Sequence, residues 1–68
     1  MNAFEERRKA AKMTQEAVAA ALGIDRSTVA KWETGRALPT AEKLLRVARL
    51  YGCTADALIQ PREDGKTA

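Results

Sequence analysis

The residues best suited to chemistry in this chain fall in one short stretch, Asp25-Arg26-Ser27-Thr28, continued by Lys31, Thr34 and Arg36. At helical spacing they bring cations and hydroxyls to the first turn and one face of a helix. That combination binds anions and donates hydrogen bonds. An Arg beside the positive end of a helix dipole costs about a few tenths of a kcal/mol, so Arg26 stands against the local rule. A phosphate or a base edge meeting this turn would resolve the conflict. The alternative is an exposed surface cation, and the first turn by itself leaves both readings open.

Composition removes other chemistries. The 68 residues include no His and one Cys, so no Ser-His-Asp triad, Cys-His pair or His/Cys zinc site can be assembled. An enzyme is disfavoured, and no cofactor, metal or small-molecule ligand is expected. A single Cys forms no internal disulfide, which fits a reducing, cytoplasmic setting. Cys53 has no basic sequence neighbour to activate it and reads as a packed thiol. No apolar run approaches the ~18 residues of a bilayer span, and no signal peptide or membrane anchor is visible. The net charge of +3 and pI near 9.4 suit a polyanionic partner without establishing one.

The elements that must position these side chains follow from start and stop signals. Asn2 with Glu5 opens a first helix over about 3 to 12, with Lys9 and Lys12 at its negative end. Thr14-Gln15-Glu16, Thr40-Ala41-Glu42 and Thr54-Ala55-Asp56 each place a hydroxyl at the cap and an acid two residues on, opening helices two, four and five. Asp25 caps helix three, which reaches about Thr34. Gly23, Gly35 and Gly52 close helices two, three and four in left-handed geometry. In helix four, Ala41, Leu44, Leu45, Val47, Ala48 and Tyr51 form the core side, and Glu42, Lys43, Arg46 and Arg49 a solvated face. Helix five covers Thr54 to Gln60. No run alternates with period two, so the fold class is all-α: one domain over residues 1–60 and a flexible C-terminal tail over 61–68. Much of the 46% hydrophobic content is alanine, and stability should be modest, roughly 3 to 5 kcal/mol.

Helices two and three are joined only by Leu22-Gly23-Ile24, the short connection of a helix-turn-helix. In helix three, Val29 and Trp32 pack inward with Ile24, leaving Ser27, Ala30, Lys31 and Thr34 outside. Such a small, polar, basic stripe fits the major groove, where Arg and Lys reach guanine O6 and N7. Trp32 is assigned to the core.

The segments Met13-Thr14-Gln15, Ala19-Ala20-Ala21-Leu22-Gly23-Ile24, Ser27-Thr28-Val29-Ala30-Lys31-Trp32-Glu33-Thr34-Gly35-Arg36 and Leu38-Pro39, continuing to Gly52 and Leu58, resemble the Cro and lambda-repressor-like helix-turn-helix regulators of phages and bacteria. The resemblance implies a compact five-helix DNA-binding domain acting as a transcriptional regulator, commonly as a dimer on a palindromic operator. It implies base reading by Arg26, Ser27 and Lys31, and contacts to the DNA backbone by Gln15, Thr28, Thr34 and Arg36. Gln15 would also support the recognition helix. Arg8 and Glu33 would form a partly buried ion pair between helices one and three. Leu58 would be core, leaving Ile59 and Gln60 for a weak homodimer contact stabilised on DNA. Ala17 departs from the family pattern, since many members have Glu there, so no capping box closes helix two.

Regulation by repression is the expected function. A protein-interaction module of antitoxin type is the alternative, with Leu50, Leu58 and Ile59 as a candidate apolar surface.

Overall fold

The computed structural model describes residues 2–59, so the expectations for Gln60 and for the 61–68 tail lie outside the described residues. Five helices follow one another: α1 (Ala3–Ala10), α2 (Gln15–Leu22), α3 (Arg26–Thr34), α4 (Ala41–Tyr51) and α5 (Ala55–Ile59). No strand occurs among the described residues, and the chain is all-α, with α2 and α3 joined by a short turn through Gly23. α2 packs chiefly on α3; α1 lies against α3, α4 and α5, and α4 against α2 and α5.

Each helix contributes to one core: Phe4 from α1, Val18 and Ala19 from α2, Val29 and Trp32 from α3, Val47, Ala48 and Tyr51 from α4, and Leu58 from α5. Phe4 and Trp32 meet as a tilted aromatic pair with centroids 6.1 Å apart. Leu44 and Ile24 pack partly against this core, but Leu45 is 57% exposed and Ala41 is also exposed, against the expected core face of α4. The stripe that packs runs through Leu44, Val47, Ala48 and Tyr51. At 3.6 residues per turn Leu45 lies roughly 110° round the helix from its centre.

The helix starts are satisfied locally. Thr14, Thr40 and Thr54 accept from the amides of Ala17, Lys43 and Ala57 at 3.0, 3.3 and 3.2 Å. Asn2 accepts from Glu5 N at 3.2 Å, and its amide nitrogen donates to the Trp32 carbonyl at 2.8 Å, tying the start of α1 to α3. Glu5 pairs with Lys9 one turn along α1, at 3.1 Å.

Helix one stops short of its expected end at residue 12. Lys12 is left-handed (φ 61°), the same conformation that Gly23, Gly35 and Gly52 adopt after α2, α3 and α4. This lets Met13 N–H reach Arg8 O at 3.2 Å and Lys12 N–H reach Lys9 O at 2.9 Å, which satisfies the last carbonyls before α2 begins.

Candidate nucleic-acid interface

The outer surface of α3 carries the expected residues together. Arg26, Ser27, Lys31 and Thr34 are exposed, Thr28 and Ala30 are half-buried, and Arg36 is exposed just after the helix, while Val29 and Trp32 anchor the opposite side. The Arg36 amide donates to the Lys31 carbonyl at 2.9 Å, folding the following loop back onto the helix end. Thr34 Oγ1 donates to the same carbonyl at 3.2 Å and keeps its lone pairs outward as acceptors.

Asp25 corrects the expected cap in one respect. Its backbone is extended as an N-cap requires, yet its side chain makes no cap bond. The Thr28 amide turns instead to the Asp25 carbonyl at 3.0 Å, a tighter turn that satisfies that donor through the backbone. With no acid in the first turn, the positive end of α3 is left to Arg26 and the solvent-facing amides.

Beneath this surface lies a buried polar centre. Arg8 and Glu33 are 9% and 8% exposed and form a two-pronged pair, Nε to Oε2 at 2.6 Å and Nη2 to Oε1 at 3.2 Å. Arg8 Nη1 also donates to the Met13 carbonyl at 2.9 Å, so α1, α3 and the α1–α2 turn share one guanidinium. The hydrogen bond to Glu33 holds Arg8 above its ordinary pKa, outweighing the opposing effect of burial. The buried Tyr51 hydroxyl has no protein hydrogen-bond partner among the described residues. Its pKa is pushed up to about 12, first by burial, then by the Glu33 charge, with Arg8 acting in the opposite sense.

Gln15 links this centre to the surface. Its Nε2 donates to Glu33 Oε1 at 2.9 Å and its Oε1 accepts from Arg26 Nη1 at 3.3 Å. A shallow depression of about 310 Å³ is lined by Arg8, Thr14, Gln15, Glu16 and Arg26, at the start of α2 and beside that of α3. The residue pattern alone placed Gln15 at a helix start, and the resemblance implied that it supports helix three; neither named Glu33 and Arg26 as the side chains it joins. The donor role of Asn2 toward Trp32 was likewise hidden behind its cap signature.

Other expected surfaces fare differently. Leu58 is buried and offers no docking surface; Leu50 is half-buried and lines an open depression with Ala21, Leu22, Arg46 and Arg49, and among the described residues the exposed large apolar side chains are Leu38, Leu45 and Ile59, at 73%, 57% and 49%. Among the described residues no helix is long and apolar enough to cross a membrane.

A two-helix unit with a short left-handed Gly turn, a basic outer stripe and a buried Arg-Glu brace defines a helix-turn-helix. A family model described as helix-turn-helix matches residues 4–58, and the chain belongs to that family, of the Cro and lambda-repressor type, whose members are DNA-binding transcription regulators. Among curated proteins, the HTH-type transcriptional activator BcrR of Enterococcus faecalis is 30% identical over 60 residues, covering 88% of this chain and 29% of its own length. The chain thus spans less than a third of that relative. No solved structure matches it significantly.

Proposed function

We propose that the chain is a sequence-specific double-stranded DNA-binding transcriptional regulator that places α3 in the major groove. The observation that carries this reading is the α3 surface: an acid-free first turn with no side-chain cap, and exposed Arg26, Ser27 and Lys31 on a helix whose other side is core. Arg26, Ser27 and Lys31 read base edges, with Arg26 or Lys31 donating to guanine. Gln15, Thr28, Thr34 and Arg36 meet the DNA backbone and set the register. Residues 1–60 act as one domain in the cytoplasm, without enzymatic activity or cofactor.

The proposal includes a weak homodimer stabilised on a palindromic operator, with half-sites one helical turn apart, roughly 34 Å. Ile59, at 49% exposure, and Gln60 form its contact. Repression by occupying a promoter is the proposed direction of regulation. The name of the Enterococcus relative gives the opposite sense for that protein, and a reporter gene behind the selected operator separates the two.

Selection of bound duplexes from a random pool by the full chain tests the reading. A two-fold symmetric motif is expected, and Arg26→Ala should relax preference at one position of each half-site. A pool that stays unenriched would overturn it. An interaction module of antitoxin type keeps exposed Ile59 from its expected surface and adds exposed Leu38 and Leu45, and it requires that Leu45→Glu abolish capture of a protein partner while operator binding persists.

A further inference from the structure

We infer that Glu33 is a positioning residue for base reading, acting through Gln15 on Arg26, in addition to its place in the Arg8 ion pair. The inference rests on the proposed role of Arg26 and adds a cause for where that side chain sits. The argument is one of donors and acceptors. A carboxylate only accepts and a guanidinium only donates, whereas a Gln amide does one at each end. Gln15 lies between Glu33 Oε1 at 2.9 Å and Arg26 Nη1 at 3.3 Å. Only one orientation of its amide satisfies both neighbours, with nitrogen toward Glu33 and oxygen toward Arg26. The flipped amide sets oxygen against carboxylate and N–H against guanidinium.

Burial decides which neighbour governs. Glu33 is 8% exposed and is fixed by two bonds from Arg8, which is itself held by the Met13 carbonyl. Arg26 is exposed, and its contact to Gln15 is the longer one. Orientation therefore runs outward from the core: Arg8 fixes Glu33, Glu33 fixes the Gln15 amide, and the amide oxygen holds one guanidinium nitrogen at the mouth of the α2–α3 turn. The remaining N–H groups of Arg26 stay available for a base. The reading side chain is thereby ordered before DNA arrives, which lowers the cost of ordering it on binding.

Three variants test this with the selected operator and its single-base substitutions. Gln15→Met keeps size and removes both bonds. The double change Arg8→Met with Glu33→Leu replaces the buried pair by apolar groups, an exchange that folds elsewhere, and leaves the Gln15 amide without its acceptor. Arg26→Ala identifies the base pair at stake. In Gln15→Met and the double variant, with helicity retained by circular dichroism, preference at that base pair should fall about tenfold, within the reach of one good base contact, while preferences elsewhere persist. Adding Gln15→Met to Arg26→Ala should change nothing further at that position. The nitrogen-15 spectrum gives a readout without DNA: Arg26→Ala should leave the shifted Gln15 side-chain amide signals in place, and the double variant should move them to exposed values. Unfolding of the double variant would overturn the positioning role of Glu33 by reducing it to its part in the ion pair, and Gln15→Met would then report on the Gln15–Arg26 contact alone. A Gln15→Met protein that loses affinity equally for every sequence would overturn the relay and keep the base-reading assignment, since it describes a phosphate contact alone. Unchanged preference in Arg26→Ala would overturn both.

Discussion

α3 and α4 are neighbours in sequence and opposites in construction. α4 obeys the local rules at both ends: Thr40 caps it, Glu42 and Arg49 complement its dipole, and Gly52 ends it. α3 begins on an Asp with no side-chain cap bond, sets an Arg in its first turn and buries Glu33. Each helix buries one polar group near the same centre. Glu33 accepts from Arg8 twice and from Gln15, while the Tyr51 hydroxyl of α4 has no partner among the described residues. α4 thus breaks a folding rule only inside the core, at Tyr51, whereas α3 departs from the rules on its exposed first turn, the departure that the proposed role in DNA reading accounts for.

The largest expected effect tests the buried group of α3. Removing one side of a buried ion pair costs about 3 to 5 kcal/mol, comparable to the whole stability of a domain this small. Glu33→Ala should therefore be largely unfolded in a thermal melt, and a wild-type midpoint would show the pair to be dispensable.

The buried group of α4 should respond to base. The folded Tyr51 pKa of about 12 lies above the unfolded value of 10.0, so its stabilising contribution is complete below pH 10 and is lost as pH rises toward 12. Urea midpoints should drop across that window as the hydroxyl ionises. Tyr51→Phe should remove this drop and be close to neutral at pH 7, because the hydroxyl has no protein partner to lose. Persistence of the drop in the Phe variant would assign it to other groups.

The two helix starts should differ by a smaller amount. Thr40→Ala deletes a cap bond and should cost about 1 kcal/mol. Asp25→Ala deletes none and should cost less than half as much in the same denaturation assay. Equal losses would erase the distinction between the two helices.

The smallest effect concerns a helix end. α3 and α4 both finish on a left-handed Gly, and α1 finishes on left-handed Lys12. Lys12→Gly should raise stability by about half a kcal/mol, the relief of backbone strain outweighing the looser unfolded chain. A loss on substitution would mean that the Lys12 side chain contributes more than its backbone costs.

What the sequence disclosed follows the range of each interaction. The Thr caps, the three Gly ends and the inward set Val29 and Trp32 depend on neighbours within a turn or two, and the sequence locates them. The stop at Lys12 was missed because it lacks a Gly and depends on Arg8 reaching Met13. Leu45 was placed inside because an apolar residue beside a packed stripe looks like part of it, until the directions of the neighbouring helices are known. The arrangement Glu33, Gln15, Arg26 joins two helix starts and a helix end, and no spacing along the chain prints which end of an amide faces which neighbour. The Arg8–Glu33 pairing came from the family resemblance, not from any pattern in the residues themselves.

The double duty of Asn2 makes chemical ageing consequential. Its oxygen caps α1 and its nitrogen holds the last turns of α3 through Trp32 O. Hydrolysis of that amide to Asp keeps the cap, and a carboxylate there is welcome to the α1 dipole. The same event replaces the donor facing Trp32 with a second acceptor, oxygen against oxygen. Slow deamidation in storage would therefore leave the first helix intact while loosening the recognition helix at its far end. The deamidated form, separable by ion exchange, should keep its helical circular dichroism and show faster amide exchange near Gly35; unchanged exchange there would show that the tether carries no weight.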